Sequence, residues 1–151
     1  MRETLFNWLQ PRIDQARVLD LFAGSGALGL ESLSRGAAHV TFVEKDRRAA
    51  AAIEAVMREW AQENAGVACT GALEWLATHG AEPPFDIVFL DPPYDSNLLE
   101  ATAAALAGRL AVDARVYLER RAREPLPALP AGWKEVRAGR AGEVGYHLFA
   151  T

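Results

Sequence analysis

Apolar residues in this chain fall into short dense runs separated by alanine-rich or polar stretches with helical spacing, and that alternation predicts its elements. Leu5, Trp8 and Leu9 share one face of a leading helix over residues 3–10, which Pro11 is expected to stop. Residues 17–22 read as a first buried strand, turned by residues 23–29 into a helix running to about Arg35, with Gly36 as its cap. Residues 39–44 form strand two, and Asp46 is placed to cap a long helix to about Asn64, ended by Gly66. A short strand three over 67–70 precedes a helix over 72–76. Phe85-Asp86-Ile87-Val88-Phe89-Leu90, bounded by Pro83-Pro84 and Pro92-Pro93, has the density of a strand buried on both faces. Ser96 or Asn97 then caps a helix to about Leu106, and residues 115–119 form strand five. The proline-rich stretch from Glu124 to Gly132 reads as a loop, and residues 133–138 and 143–150 flank Gly139-Arg140-Ala141-Gly142 as a hairpin. Strand–helix alternation ending in a hairpin predicts an α/β fold: a doubly wound, seven-stranded sheet, mostly parallel, with an antiparallel C-terminal hairpin, in one domain over 1–151.

Composition narrows the function classes. A chain of 151 residues suits one core. No apolar run approaches the ~18 residues of a membrane span, and the start from Met1 to Phe6 lacks a signal-peptide pattern, so a soluble, cytoplasmic, monomeric protein without membrane contact is expected. Cys69 stands alone, and His39, His79 and His147 share no ligand spacing with it, so no metal is expected. Cys69 is read as inert in a buried strand, His39 and His147 as structural, and Trp8, Trp60, Trp75 and Trp133 as core residues. The net charge of −4 argues against wrapping nucleic acid over the whole surface. Arg115, Arg120, Arg121 and Arg123 read first as a solvated strand end and loop, with a phosphate-binding face as the alternative.

Two stretches carry chemistry. Gly24-x-Gly26-x-x-Gly29 follows a strand and opens a helix, the context of a nucleotide-binding turn: Gly24 for the turn, Gly26 for ligand approach to the backbone, Gly29 for helix–sheet packing. Glu44, twenty residues after Gly24 and ending strand two, is placed to accept from both hydroxyls of a ribose. An adenosine-containing cofactor follows. A nicotinamide dinucleotide would call for a pyrophosphate site and usually a second domain, whereas S-adenosylmethionine carries a sulfonium that acids such as Asp20, Glu44 and Asp91 suit. Asp20 reads equally well as an ordinary strand-end carboxylate.

The second stretch is Asp91-Pro92-Pro93-Tyr94, delivered where strand four stops. A conjugated amine is a poor nucleophile because its lone pair is delocalised, so two acceptors must engage its hydrogens; the Asp91 carboxylate and the Pro92 carbonyl can serve. Pro92 and Pro93 hold the loop rigid, and Tyr94 offers a face on which a base stacks. The alternative is a Pro-Pro turn with Asp91 as a cap. Neighbouring strands one and four, where the strand order reverses, would bring both loops to one crevice.

With both halves present, the segment from Val18 to Gly26 followed by Asp91-Pro92-Pro93-Tyr94 resembles a class I, Rossmann-like methyltransferase of the amino-methylating kind. Arg2-Glu3-Thr4-Leu5-Phe6-Asn7 and Ala141-Gly142-Glu143-Val144-Gly145-Tyr146 resemble the RsmD family more narrowly. That resemblance implies methyl transfer from S-adenosylmethionine to the N2 amine of a guanine in small-subunit ribosomal RNA, with the RNA or the small subunit as partner. It implies a cofactor site of Asp20, Phe22, Ala23, Gly24, Ser25, Gly26, Glu44, Lys45, Gly71, Ala72 and Asp91, and a catalytic quartet of Asp91, Pro92, Pro93 and Tyr94. The sequence departs from the family pattern twice. The family's basic N-terminal segment with a β-hairpin is expected to be missing ahead of Arg2, and Gly71-Ala72 stands where Asp or Asn would face the adenine. DNA adenine-N6 or protein glutamine-N5 methylation, and a non-catalytic cofactor- or RNA-binding module, remain as alternatives.

Overall fold

The computed structural model describes residues 1–93 and 97–151; Tyr94, proposed for stacking, and Ser96, proposed as a cap, lie outside the described residues. The elements in chain order are α1 (Arg2–Ile13), β1 (Arg17–Asp20), α2 (Ala27–Ser34), β2 (His39–Val43), α3 (Arg47–Glu59), β3 (Ala65–Ala68), α4 (Ala72–Thr78), β4 (Phe85–Leu90), α5 (Leu98–Ala105), β5 (Leu110–Arg121), β6 (Lys134–Ala141) and β7 (Val144–Ala150). They build one seven-stranded sheet in the order β3-β2-β1-β4-β5-β7-β6. β1 to β5 pair in parallel and β7 runs antiparallel to both β5 and β6, as the doubly wound reading expected.

Period-two alternation divides the core between the two faces of the sheet. Val18, Phe42, Ile87, Phe89 and Tyr117 pack with Leu5, Phe6 and Leu9 of α1, Leu33 of α2 and Ile53 of α3. Leu19, Val43, Val88, Leu90 and Leu118 pack on the other face with Trp75 and Leu76 of α4 and Ala103 of α5. Both faces of β1 and β4 are therefore covered, which is why Val18-Leu19 and the run Ile87-Val88-Phe89-Leu90 are apolar without interruption.

Several boundaries differ from the sequence expectation. Pro11 does not stop α1, because fully buried Ile13 anchors one more turn and outweighs the hydrogen bond a proline cannot donate. α3 ends at Glu59, short of Asn64: Ala61 turns left-handed at φ 54°, and the Gln62 amide donates to the Met57 carbonyl at 3.0 Å. This is a helix-ending turn built without a glycine. Gly66, expected to end that helix, instead sits within β3, which begins at Ala65 and is over by Ala68. Cys69 consequently falls outside the strand and is exposed, contrary to the buried reading. Trp60 caps α3 and is 46% exposed rather than core, whereas Trp75 is 3% exposed and Trp8 stacks on Tyr146 with ring centroids 5.4 Å apart. β5 is twelve residues long, starting at Leu110, with an irregular register against β4 between Phe85 and Ile87. The final hairpin turns at Gly142-Glu143, and Gly139 lies within β6.

Candidate active site

β1 and β4 are direct neighbours, with Asp20 opposite Phe89, and the strand order reverses between them: β2 and β3 lie on one side, β5 on the other. The loops after β1 and β4 therefore face one crevice. A cavity of about 920 Å³ occupies it. It is lined by Asp20, Phe22, Ala23, Gly24, Ser25, Glu44, Lys45, Gly71, Ala72, Asp91, Pro92 and Pro93, so both sequence-derived halves meet there.

Gly26 is the exception among the described candidates, for it does not line the cavity. It begins α2 with φ 81°, and a Cβ there would come to 3.0 Å from Ile53 Cγ1. The glycine thus serves the left-handed turn and the close packing of α3. Gly29 does what its spacing suggested: a side chain on it would collide with the ring of buried Phe42.

The glycine turn and strand two are tied together by Glu44. The Gly24 amide donates to its Oε1 at 2.7 Å and the Asp46 amide to its Oε2 at 2.8 Å, fixing the carboxylate at the rim. Asp46 in turn caps α3 by accepting from the Ala49 amide at 3.0 Å.

The acids follow from strand alternation. Asp20, Glu44, Asp91 and Glu119 each come two residues after a buried residue of the same sheet face, namely Val18, Phe42, Phe89 and Tyr117. All four line the one cavity, Asp20 at the end of β1, Glu44 and Asp91 just beyond β2 and β4, and Glu119 within β5. Asp20 is 3% exposed. Burial raises its pKa to about 7; a hydrogen bond from the Gly29 backbone opposes the rise, while the charges of Asp91 and Glu44 add to it. That bond supplies the acceptor which Gly26, having no side chain, cannot offer to the first turn of α2. The other Asp20 oxygen, Oδ2, is buried without a hydrogen-bond partner. Asp91 is likewise raised to about 7, first by burial and then by the charge of Glu119.

Glu119 is the site residue that reading the sequence missed. It is 9% exposed and lines the same cavity. The Tyr117 hydroxyl donates to its Oε2 at 2.8 Å. Burial lifts its pKa, an effect that bond partly opposes. The available signal was Tyr117-Leu118-Glu119, which repeats in β5 the aromatic-leucine-acid ending of Phe89-Leu90-Asp91 in β4.

A second cavity of about 510 Å³ lies between α5 and the end of β5, and shares Pro92, Pro93 and Glu119 with the first. The nearby arginines are largely engaged locally. Arg115 pairs with Asp113 at 2.9 Å, Arg121 with Glu124 at 3.6 Å, and Arg120 donates to the carbonyls of Arg121 and Ala122 at 3.0 Å each. His147, 6% exposed, accepts from Arg120 Nε at 3.1 Å, a structural placement. Among the described residues no cluster suited to a metal ion occurs, and no helix is long and apolar enough to cross a membrane.

Comparison with known proteins gives consistent results. Residues 1–150 match the model of the family described as Conserved hypothetical protein 95. Ribosomal RNA small subunit methyltransferase D of Escherichia coli (strain K12) is 45% identical over 151 residues, covering 99% of this chain and 75% of that protein. The solved structure of the Escherichia coli protein yhhF superposes with a TM-score of 0.93 at 44% identity, covering 99% of this chain and 84% of that one. SMU.776, solved in complex with SAH, shares the fold at 13% identity, with a TM-score of 0.73 over 99% of this chain and 49% of its own.

Proposed function

The chain belongs to the Conserved hypothetical protein 95 family, that of the ribosomal RNA small subunit methyltransferases D, and from that membership and the crevice we propose that it transfers a methyl group from S-adenosylmethionine to the exocyclic N2 amine of a guanine in small-subunit ribosomal RNA. One observation carries the reading: the Gly24 loop and the Asp91-Pro92-Pro93 loop line a single cavity. A ribosomal RNA substrate would place the protein in the cytoplasm.

The cavity suits the cofactor on its own chemistry. Asp20 presents a buried, unpartnered carboxylate oxygen, and Asp91 and Glu44 add negative character, an environment that favours a cationic ligand. Glu44 would hold the ribose, and Thr70, Gly71 and Ala72 would border the adenine through backbone groups. S-adenosylmethionine, when bound, supplies an electrophilic methyl group on its sulfonium.

The protein's own part is orientation and charge. Asp91 in its ionised form and the Pro92 carbonyl accept from the two amine hydrogens, directing the nitrogen lone pair out of the ring plane. Positive charge then builds on that nitrogen, and Asp91 and Glu119 lie where negative charge offsets it. No strong base is needed, since the cationic amine loses its proton readily. Tyr94, by its sequence position alone, carries the stacking face for a base turned out of its helix.

Labelled S-adenosylmethionine offered to naked ribosomal RNA, assembled small subunits, DNA and release-factor protein tests the substrate class. Label is expected in one or both RNA samples. Label confined to DNA or to protein contradicts the proposal and favours adenine-N6 or glutamine-N5 chemistry.

A further inference from the structure

The methyl-transfer proposal gives Asp91 and Pro92 the amine but leaves the rest of the base unread. The structure offers a reader beside them. Leu90 of β4 pairs with Leu118 of β5; Asp91, the first residue after β4, and Glu119 of β5 follow that pair, both line the 920 Å³ cavity, and the charge of Glu119 acts on Asp91. Neighbouring strands lie ~4.8 Å apart, which sets two carboxyl groups side by side. Glu119, Pro92 and Pro93 are also the residues shared by the 920 Å³ and 510 Å³ cavities. Glu119 therefore lies where the smaller cavity adjoins the one that holds Asp91.

Resting on the guanine reading, we propose that Glu119 determines base specificity by accepting the guanine N1–H while Asp91 accepts from N2. Guanine carries these two donors next to each other on its Watson–Crick edge. Adenine carries an acceptor at N1, which a carboxylate repels and leaves unpaired. A flipped base is read on this edge, and a site built for a hydrogen bond rejects an analogue that cannot make it. The Tyr117 hydroxyl holds Glu119 Oε2, so the carboxylate is oriented before substrate arrives. Burial alone would favour the protonated acid, but a donor such as N1–H stabilises the ionised form. Glu119 thereby acquires a role that neither strand packing nor the cofactor gives it.

The test compares guanine with 2-aminopurine, which keeps the amine on C2 but presents an acceptor at N1. The methylated position is first mapped with the wild-type protein, and small-subunit RNA is then prepared with either base at that position. Wild-type kcat/KM should favour guanine by roughly 10- to 100-fold. In Glu119→Gln the side-chain amide can donate to N1 of 2-aminopurine, so the preference should narrow to a few-fold, with 2-aminopurine methylated faster than by wild type. Reading a ratio on one protein preparation cancels any change in folded fraction, and loss of O6 affects both proteins alike. An unchanged ratio, or an equal fall for both bases, overturns the assignment of Glu119 and leaves the guanine reading standing. Absence of N2-methylguanosine from the wild-type digest overturns both, and it does so before any variant is made.

Discussion

Asp91→Asn is expected to lower kcat by about 10²- to 10³-fold while changing S-adenosylmethionine affinity only a few-fold, measured by single-turnover methylation and by calorimetry. The substitution keeps shape and removes the charge. An amide oxygen is a weaker acceptor for the amine hydrogens, and it gives little stabilisation to the positive charge that develops on nitrogen. The pH dependence separates this from general damage. Asp91 titrates at about 7 because burial and the charge of Glu119 oppose its ionisation, so the wild-type single-turnover rate, measured at saturating S-adenosylmethionine so that titration of Asp20 in cofactor binding does not enter, should fall as pH drops through about 7 and level off above it. Asp91→Asn should retain its residual rate without that limb. A variant with full activity, or with the wild-type pH limb intact, would show that Asp91 is a cap for the loop and no more.

The second large effect has opposite signs in stability and in binding. Asp20→Asn should weaken S-adenosylmethionine affinity by at least about 10-fold and at the same time stabilise the protein above neutral pH. The folded carboxyl has its pKa raised from 3.8 to about 7, so between those values the folded state holds a proton that the unfolded chain has released. Stability therefore declines as pH rises across that window, and the penalty is complete above about 7. An uncharged asparagine removes the penalty and can still accept from the Gly29 amide. Its new amide donor replaces an oxygen that already lacks a partner, which costs part of the gain. The net should be about 1–2 kcal/mol at pH 8, vanishing near pH 4. Thermal melts at the two pH values and calorimetry with the cofactor read both effects. A variant that melts lower at pH 8, or binds as wild type does, would make Asp20 an ordinary strand-end residue.

The fold was legible where packing leaves a plain mark on the sequence. Strands buried on both faces carry continuous apolar runs, as residues 87–90 do, a strand-to-helix turn takes a glycine where φ is left-handed, as at Gly24, and close helix–sheet contact takes one where a side chain has no room, as at Gly29. Boundaries were less legible because tertiary contacts override local signals. Buried Ile13 carries α1 past Pro11, and left-handed Ala61 ends α3 with a residue that by itself favours helix. The length of β5 was hidden because its first half carries Val112, 99% exposed, and Asp113, exposed too and with a left-handed φ of 63°.

Within the site, Asp91 and Glu44 announce themselves because each ends a strand beside a recognisable loop. Glu119 did not, since it is followed by Arg120 and Arg121 and reads as one more charge in a polar strand end. The repeat of Phe89-Leu90-Asp91 in Tyr117-Leu118-Glu119 gains its meaning once β5 is known to lie beside β4 in parallel register. Gly26 has a packing role the motif spacing did not announce, since a side chain there would meet Ile53.

The most direct measurement is the identity of the nucleoside the protein makes. Small-subunit RNA methylated with labelled S-adenosylmethionine, digested to nucleosides and resolved by chromatography with mass detection, should carry the label as N2-methylguanosine. Label as N6-methyladenosine, as a ring-nitrogen or ribose methyl, or no label in any RNA would contradict the account.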